Sequence, residues 1–218
     1  MDPDNDLADD PGDELDDELD DGLLLPWYYS WWRVGVLASA LTIGAVGMLA
    51  FAVTGKPGGS SVDVRFLQDM RSHHDQAVQL SLSYLRKADS EPLLQTIAAE
   101  ILLSQQQETG VMVEILRSFG VAEENSTGTA MEWMDQPVPL ERMPGMASEA
   151  EVERLDAATG AEAADLFARL MVAHHEGGVH MAEYAAEHAE SQEIRDLAAR
   201  MATAQNHEIT DLTQLREG

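Results

Sequence analysis

The chain has 218 residues, no cysteine and a formal net charge of −27 at pH 7. Without thiols it forms no disulfide and no cysteine-based metal site, so a metal must be held by His, Met, carboxylate or main-chain oxygen. With 40 acidic against 13 basic residues, a nucleic-acid partner is excluded, because phosphate binding needs clustered Lys and Arg.

The charge is concentrated at the start. Twelve Asp and Glu fall within the first 21 residues, with no Lys or Arg among them. Such a block repels itself and has nothing to bury, so residues 1–26 are predicted to be a disordered acidic tail. It could dock a protein partner or hold cations weakly.

Residues 27–54 read as a transmembrane anchor. Val34 to Val53 is a run of twenty residues without a charge, and at about 1.5 Å per residue it spans a hydrocarbon core of about 30 Å. Trp27, Tyr28, Tyr29, Trp31 and Trp32 form an aromatic belt at one end. The run exceeds the usual core of a signal peptide and carries no clear cleavage signal, which favours an uncleaved single-pass anchor. Arg33, Lys56 and Arg65 give almost no orientation by charge. Small residues in "GAVGMLAFAVTG" allow two such helices to pack as a homo-oligomer, although they are also common in lipid-facing helices. Residues 55–62, with "GKPGGSS", are a flexible linker.

From residue 63 to 218 one helical domain is expected, and it is internally duplicated. With His73 aligned on His174, Phe66 matches Phe167, Met70 matches Met171 and Leu80 matches Met181. One residue of slip then places "AAEILLSQQQE" (98–108) over "AARMATAQNHE" (198–208). In repeat one (63–119), Phe66, Met70, His73, Ala77, Leu80 and Tyr84 recur at steps of four and three, which is one helix face. Its partner helix carries Leu94, Ile101, Gln105, Glu108, Met112, Ile115 and Phe119. Between them "KADSEP" offers Ser90 as a cap and Pro92 for the first turn. Repeat two (161–216) has Phe167, Met171, His174, Gly178, Met181 and Ala185, then Ile194, Met201, Gln205, Glu208, Leu212 and Leu215. The fold class is therefore all-α, two helical hairpins forming a four-helix bundle. The connection, 120–160, holds a capping box at Ser148–Glu151, which predicts a short extra helix ended near Thr159–Gly160.

These stripes carry polar residues where a core should be: His73, Gln105 and Glu108 in one repeat, His174, Gln205 and Glu208 in the other. Burying them costs several kcal/mol unless they are paired or bind a metal. Two readings follow and both stay open. One is a metal site between helices, with thioethers of Met70, Met171, Met112, Met181 and Met201 nearby. The other is a structural network in which His73 and His174 donate to Glu108 and Glu208. His74 and His175 lie one step off the stripe, as edge ligands or as surface histidines. Met112 and Met201 have a sufficient role as core filler. Met131, Met134, Met143 and Met146 lie in a proline-rich loop and are expected to be exposed, as a capture site or a flap. No serine-elbow, P-loop or zincin motif is present, so an enzyme is not the expectation, and redox chemistry at a metal is the one enzymatic route considered.

The phrases "FLQDMRSHHDQAVQL" and "LFARLMVAHHEGGVHMA", each followed by Gln-x-x-Glu, resemble the paired M-x-x-H-H-x-x-A-x-x-M phrases of the domain-of-unknown-function family numbered 305, over residues 63 to 216. The resemblance implies a ferritin-like bundle, an extracytoplasmic location and, for some members, copper binding and copper tolerance. Carried over by position, it points to Met70, His73, His74, Met171, His174, His175 and Met181. This chain departs from the pattern at Leu80, where Met is expected, and at Gly178, where Ala is usual. His180 and His207 lie outside the shared pattern. Together with Glu108 and Glu208, these seven residues are the expected metal ligands. Copper is the expected ion, with zinc or iron as lesser candidates. The expected protein is anchored in the cell membrane with its C-terminal domain outside the cytoplasm. The alternative is an interaction module whose polar core is a hydrogen-bond network.

Overall fold

The computed structural model describes residues 62–217. The acidic tail, the expected anchor at 27–54 and the linker lie outside the described residues. Among the described residues no helix is long and apolar enough to cross a membrane.

Four long helices and one short helix make the domain: α1 (Val62–Leu85), α2 (Pro92–Phe119), α3 (Glu149–Ala157), α4 (Gly160–His188) and α5 (Gln192–Glu217). The expected stripes are the buried faces. Phe66, Met70, His73, Ala77, Leu80 and Tyr84 are all fully buried, as are Phe167, Met171, Met181 and Ala185. Helices α1 and α2 form one hairpin, α4 and α5 the other, and the hairpins meet chiefly through α1 against α4.

Local chemistry sets the ends. Helix α2 starts at Pro92, but its cap is Glu91 rather than Ser90: the Glu91 carboxylate accepts from the N–H groups of Leu93 at 3.0 Å and Leu94 at 2.6 Å. A carboxylate suits this position because it also faces the positive end of the helix dipole. Ser90 instead donates to the Lys87 carbonyl. Gly120 ends α2 with φ of 68°, a left-handed cap that glycine adopts without steric cost. The capping box at Ser148 and Glu151 is present and starts α3. Ala158 and Thr159 separate α3 from α4, which begins at Gly160, so the break falls at the Thr159–Gly160 signal. The turn into α5 is held from afar: the buried Asp63 carboxylate accepts from the N–H groups of Glu190 at 2.7 Å and Ser191 at 3.2 Å.

The apolar interior is in two parts. One gathers Phe66, Met70, Met112, Leu116, Met181 and Met201 with loop residues Met131, Trp133, Met134 and Met143. The other gathers Leu80, Tyr84, Ile101, Phe167, Met171 and Leu212 with Leu155 of α3. Met112 and Met201 are thus core filler. The connection is no exposed methionine loop, since Met131, Met134 and Met143 are 1%, 3% and 2% exposed. It is tied down by a buried aspartate that the stripe reading passed over. Asp69 accepts from Asn125 Nδ2 at 2.7 Å, Met131 N at 2.8 Å and Trp133 Nε1 at 2.8 Å. Trp133 then stacks edge-on against Phe66 and Tyr184. A two-stranded antiparallel pair, Thr129–Ala130 with Val138–Pro139, closes the loop's base.

Candidate metal centre

The histidine pairs occupy a polar layer in the bundle. All four rings are buried, His73, His74 and His175 completely and His174 to 1%. His74 and His175 are therefore not surface groups, and each HH pair divides its work. The first histidines meet across the hairpins: the rings of His73 and His174 lie 3.7 Å apart, centre to centre, tilted by 32°. The second histidines turn toward their own hairpin partners. His74 Nε2 donates to Glu108 Oε2 at 2.7 Å, and His175 Nε2 lies 2.9 Å from Glu208 Oε2, off the line a hydrogen bond needs. The glutamates thus serve the second histidine of each pair and not, as expected, the first. Successive helical residues point about 100° apart, so one member of a pair reaches the facing hairpin while the next reaches its neighbour. Glu208 also accepts from Ser104 of the opposite hairpin at 3.3 Å.

The tautomers follow from the partners. His73 Nε2 lies 3.1 Å from the Pro144 carbonyl, and His174 Nε2 lies 2.9 Å from the His73 carbonyl. A carbonyl oxygen only accepts, so both Nε2 atoms carry the proton and both Nδ1 atoms hold a lone pair. Those Nδ1 atoms are buried without a hydrogen-bond partner, as are the Nδ1 atoms of His74 and His175. Burial, first of all, holds both central rings neutral: it drives His73 down to about 3, with the neighbouring His74 adding to the effect, and drives His174 well below its ordinary value, with His73 adding. A neutral imidazole with a free ring nitrogen is the form that binds metals.

Gln105 and Gln205 border the layer, each buried and with an unpartnered Oε1. Gly178 makes room for the second. A Cβ there would stand 2.2 Å from Gln205 Oε1, so the alanine usual at this place would push that side chain aside. Met70, Met171 and Met181 are fully buried. Met70 and Met171 stand one helical turn before His73 and His174, on the same faces. His180 and His207 are exposed and lie outside the layer.

The donor set has a definite chemical bias. Among the described residues no group of three His, Asp or Glu side chains is placed to hold one ion. A closed tetrahedral zinc site needs four nitrogen, sulfur or oxygen ligands, which imidazole and carboxylate do not supply here. Imidazole with thioether is the donor combination that suits Cu(I), and this interior holds both, in the unpartnered Nδ1 atoms and in the buried Met70, Met171 and Met181.

Fold and site together define a class: a bundle of two helical hairpins whose interior holds a layer of four buried histidines, two from each hairpin. The family described as Domain of unknown function (DUF305) matches residues 63–216, and the chain belongs to that family. A DUF305 protein from Streptomyces coelicolor is similar at 32% identity and a TM-score of 0.67, covering 72% of this chain and 93% of that one. A DUF305 fragment from Deinococcus radiodurans is similar at 29% identity and a TM-score of 0.61, covering 71% and 94%. CopM in its Cu(I)-bound form shares the fold at 24% identity and a TM-score of 0.53, covering 71% and 95%. No curated protein matches the chain.

Sequence reasoning missed Asp69 and Gln76. Both were within reach, because Phe66, Asp69, His73, Gln76 and Leu80 also recur at steps of three and four.

Proposed function

We propose that this protein is a membrane-anchored, extracytoplasmic copper-binding protein, with a ferritin-like bundle that holds Cu(I) as cargo for buffering or transfer. The observation that carries the reading is the close, tilted pair His73 and His174, each with its Nε2–H bound to a backbone carbonyl and its Nδ1 lone pair buried and unpartnered. Unsatisfied buried polar atoms are rare in folded proteins and call for a ligand or a role. Met70, Met171 and Met181 would add thioether donors, while Glu108 and Glu208 would orient His74 and His175, as carboxylates commonly orient metal-binding imidazoles. CopM, which shares the fold, is known in Cu(I)-bound, Cu(II)-bound and Ag-bound forms. The anchor rests on the uncharged run Val34–Val53 and its aromatic belt. A purely structural network is the poorer reading, because Gln105 Oε1, Gln205 Oε1 and the four Nδ1 atoms leave that network open.

The test is metal content by mass spectrometry after exposure to copper, zinc and iron, on the native chain and on His73→Ala/His174→Ala. Copper held at a fixed ratio and lost in the double variant is the expected result. A folded native chain that stays metal-free would reject the copper reading and leave the network.

A further inference from the structure

The central histidines are shut in, and what covers them is not a helix. Residues Met143 to Ala147 form an irregular strap across α1 and α4. On the α1 side it is held twice. The Pro144 carbonyl accepts from His73, and Gln76 grips Ala147 by both of its amide atoms, Nε2 to Ala147 O at 2.9 Å and Ala147 N to Oε1 at 2.7 Å. Together with Asp69, the clasp that holds Met131 and Trp133, these contacts come from residues spaced four and three apart on one face of α1. On the α4 side the strap lies directly on backbone. A Cβ at Gly145, whose φ is +80°, would fall 2.2 Å from the Ala173 carbonyl and 2.8 Å from His174 Cα, and a Cβ at Gly177 would fall 1.9 Å from the Pro144 carbonyl. The two glycines are a notch that lets the strap seat against the turn bearing His174.

Outside the strap a cavity of about 620 Å³ opens. Gln76 and the half-buried Met146 line it with four carboxylates, Glu141, Glu149, Glu153 and Asp156, against one arginine, Arg142. Acidic clefts raise the local concentration of cations, and Met146 adds a soft donor at the inner edge.

We propose that the strap Met143–Ala147 is the gate through which a soft metal cation reaches His73 and His174, that the acidic cavity is its vestibule, and that Gln76 is the clasp that sets how often the gate opens. With His73 and His174 at 0% and 1% exposure, no ion arrives unless something moves. The helices are locked by the apolar packing of both halves of the core. The strap buries only the side chains of Met143 and Ala147 in that core and is otherwise held by a few hydrogen bonds, so it opens at less cost than a helix. The inference rests on the copper reading for the identity of the cargo, but the gate itself is measurable without metal.

The experiment compares the native chain with Gln76→Leu, which removes the clasp, and Gly177→Ala, which pushes the strap from the opposite side. In metal-free protein, the rate of diethyl pyrocarbonate modification of His73 and His174 is followed by peptide mass spectrometry, with circular dichroism as a check on folding. Both variants should be modified about tenfold faster, the equivalent of ~1.4 kcal/mol in opening, about what one or two net hydrogen bonds supply. Cu(I) transfer from a chromophoric chelator should speed up in both directions by a similar factor, with little change in affinity. Native modification rates in the folded variants would overturn the gate. Faster modification in a chain that takes up no copper would keep the gate and reject the copper reading.

Discussion

Burial of two neutral imidazoles predicts a specific acid sensitivity. His73 titrates at about 3 in the folded protein, chiefly because its ring is desolvated, against 6.5 unperturbed. The unfolded chain therefore binds the extra proton first, and stability is lost as pH falls from about 6.5 toward 3. From pH 6.5 to 4.5 the protonation of an ordinary histidine, integrated over pH, amounts to ~1.7 proton-units, and at ~1.36 kcal/mol each this costs about 2.3 kcal/mol. His174 is shifted the same way, by burial and by the facing His73, and adds to the loss. The assay is urea denaturation with a chelator present at pH 6.5, 5.5 and 4.5, on the native chain and on His73→Leu. The many carboxylates titrate in both and cancel in the difference. The stability gap between the two proteins should change by about 2 kcal/mol across this range in favour of the variant at low pH. A gap that stays constant from pH 6.5 to 4.5 would refute the reasoning, since His73 would then not be the neutral, desolvated group described.

Two more outcomes follow from the same geometry. Asp69→Ala leaves the Met131 N–H and the Trp133 indole N–H without an acceptor, while the Asn125 amide keeps the Thr129 carbonyl; at ~1–2 kcal/mol per orphaned donor it should cost about 2–4 kcal/mol. Calorimetry should show Tm lower by roughly 10 °C, with Trp133 emission shifted to the red, and a drop of only a degree or two would mean that the loop is anchored elsewhere. Glu108→Ala should lower copper affinity by about 10–100-fold while the bound ratio holds, because the carboxylate orients His74. A changed ratio by titration would instead make Glu108 a ligand.

How much of this was legible depends on whether the information is local. Helical period is local, and the apolar positions of α1 and α4 repeat every three to four residues, so Phe66 through Tyr84 and Phe167 through Ala185 are readable as buried faces from their spacing alone. The capping box at Ser148 is a four-residue signal and was equally readable. The cap of α2 is not legible, because Ser90 and Glu91 both carry acceptors, and only the backbone path decides which one reaches Leu93 and Leu94. The burial of Met131, Met134 and Met143 is hidden for a similar reason. A proline-rich segment looks exposed until a residue far away, here Asp69, gathers its donors.

The sequence by itself determined that there are two homologous hairpins, that histidines at 73 and 174 fall on core faces, and that a cysteine-free site must rely on imidazole, thioether and carboxylate. Only the tertiary structure decided the partners. It set His73 against His174 rather than against Glu108, gave the glutamates to His74 and His175, and laid the Pro144 carbonyl over the pair. The reason is directional. A helix period states which side of a helix faces inward, but the angle at which two hairpins meet, and the seat that Gly145 and Gly177 leave for the strap, arise only when segments far apart in the chain come together.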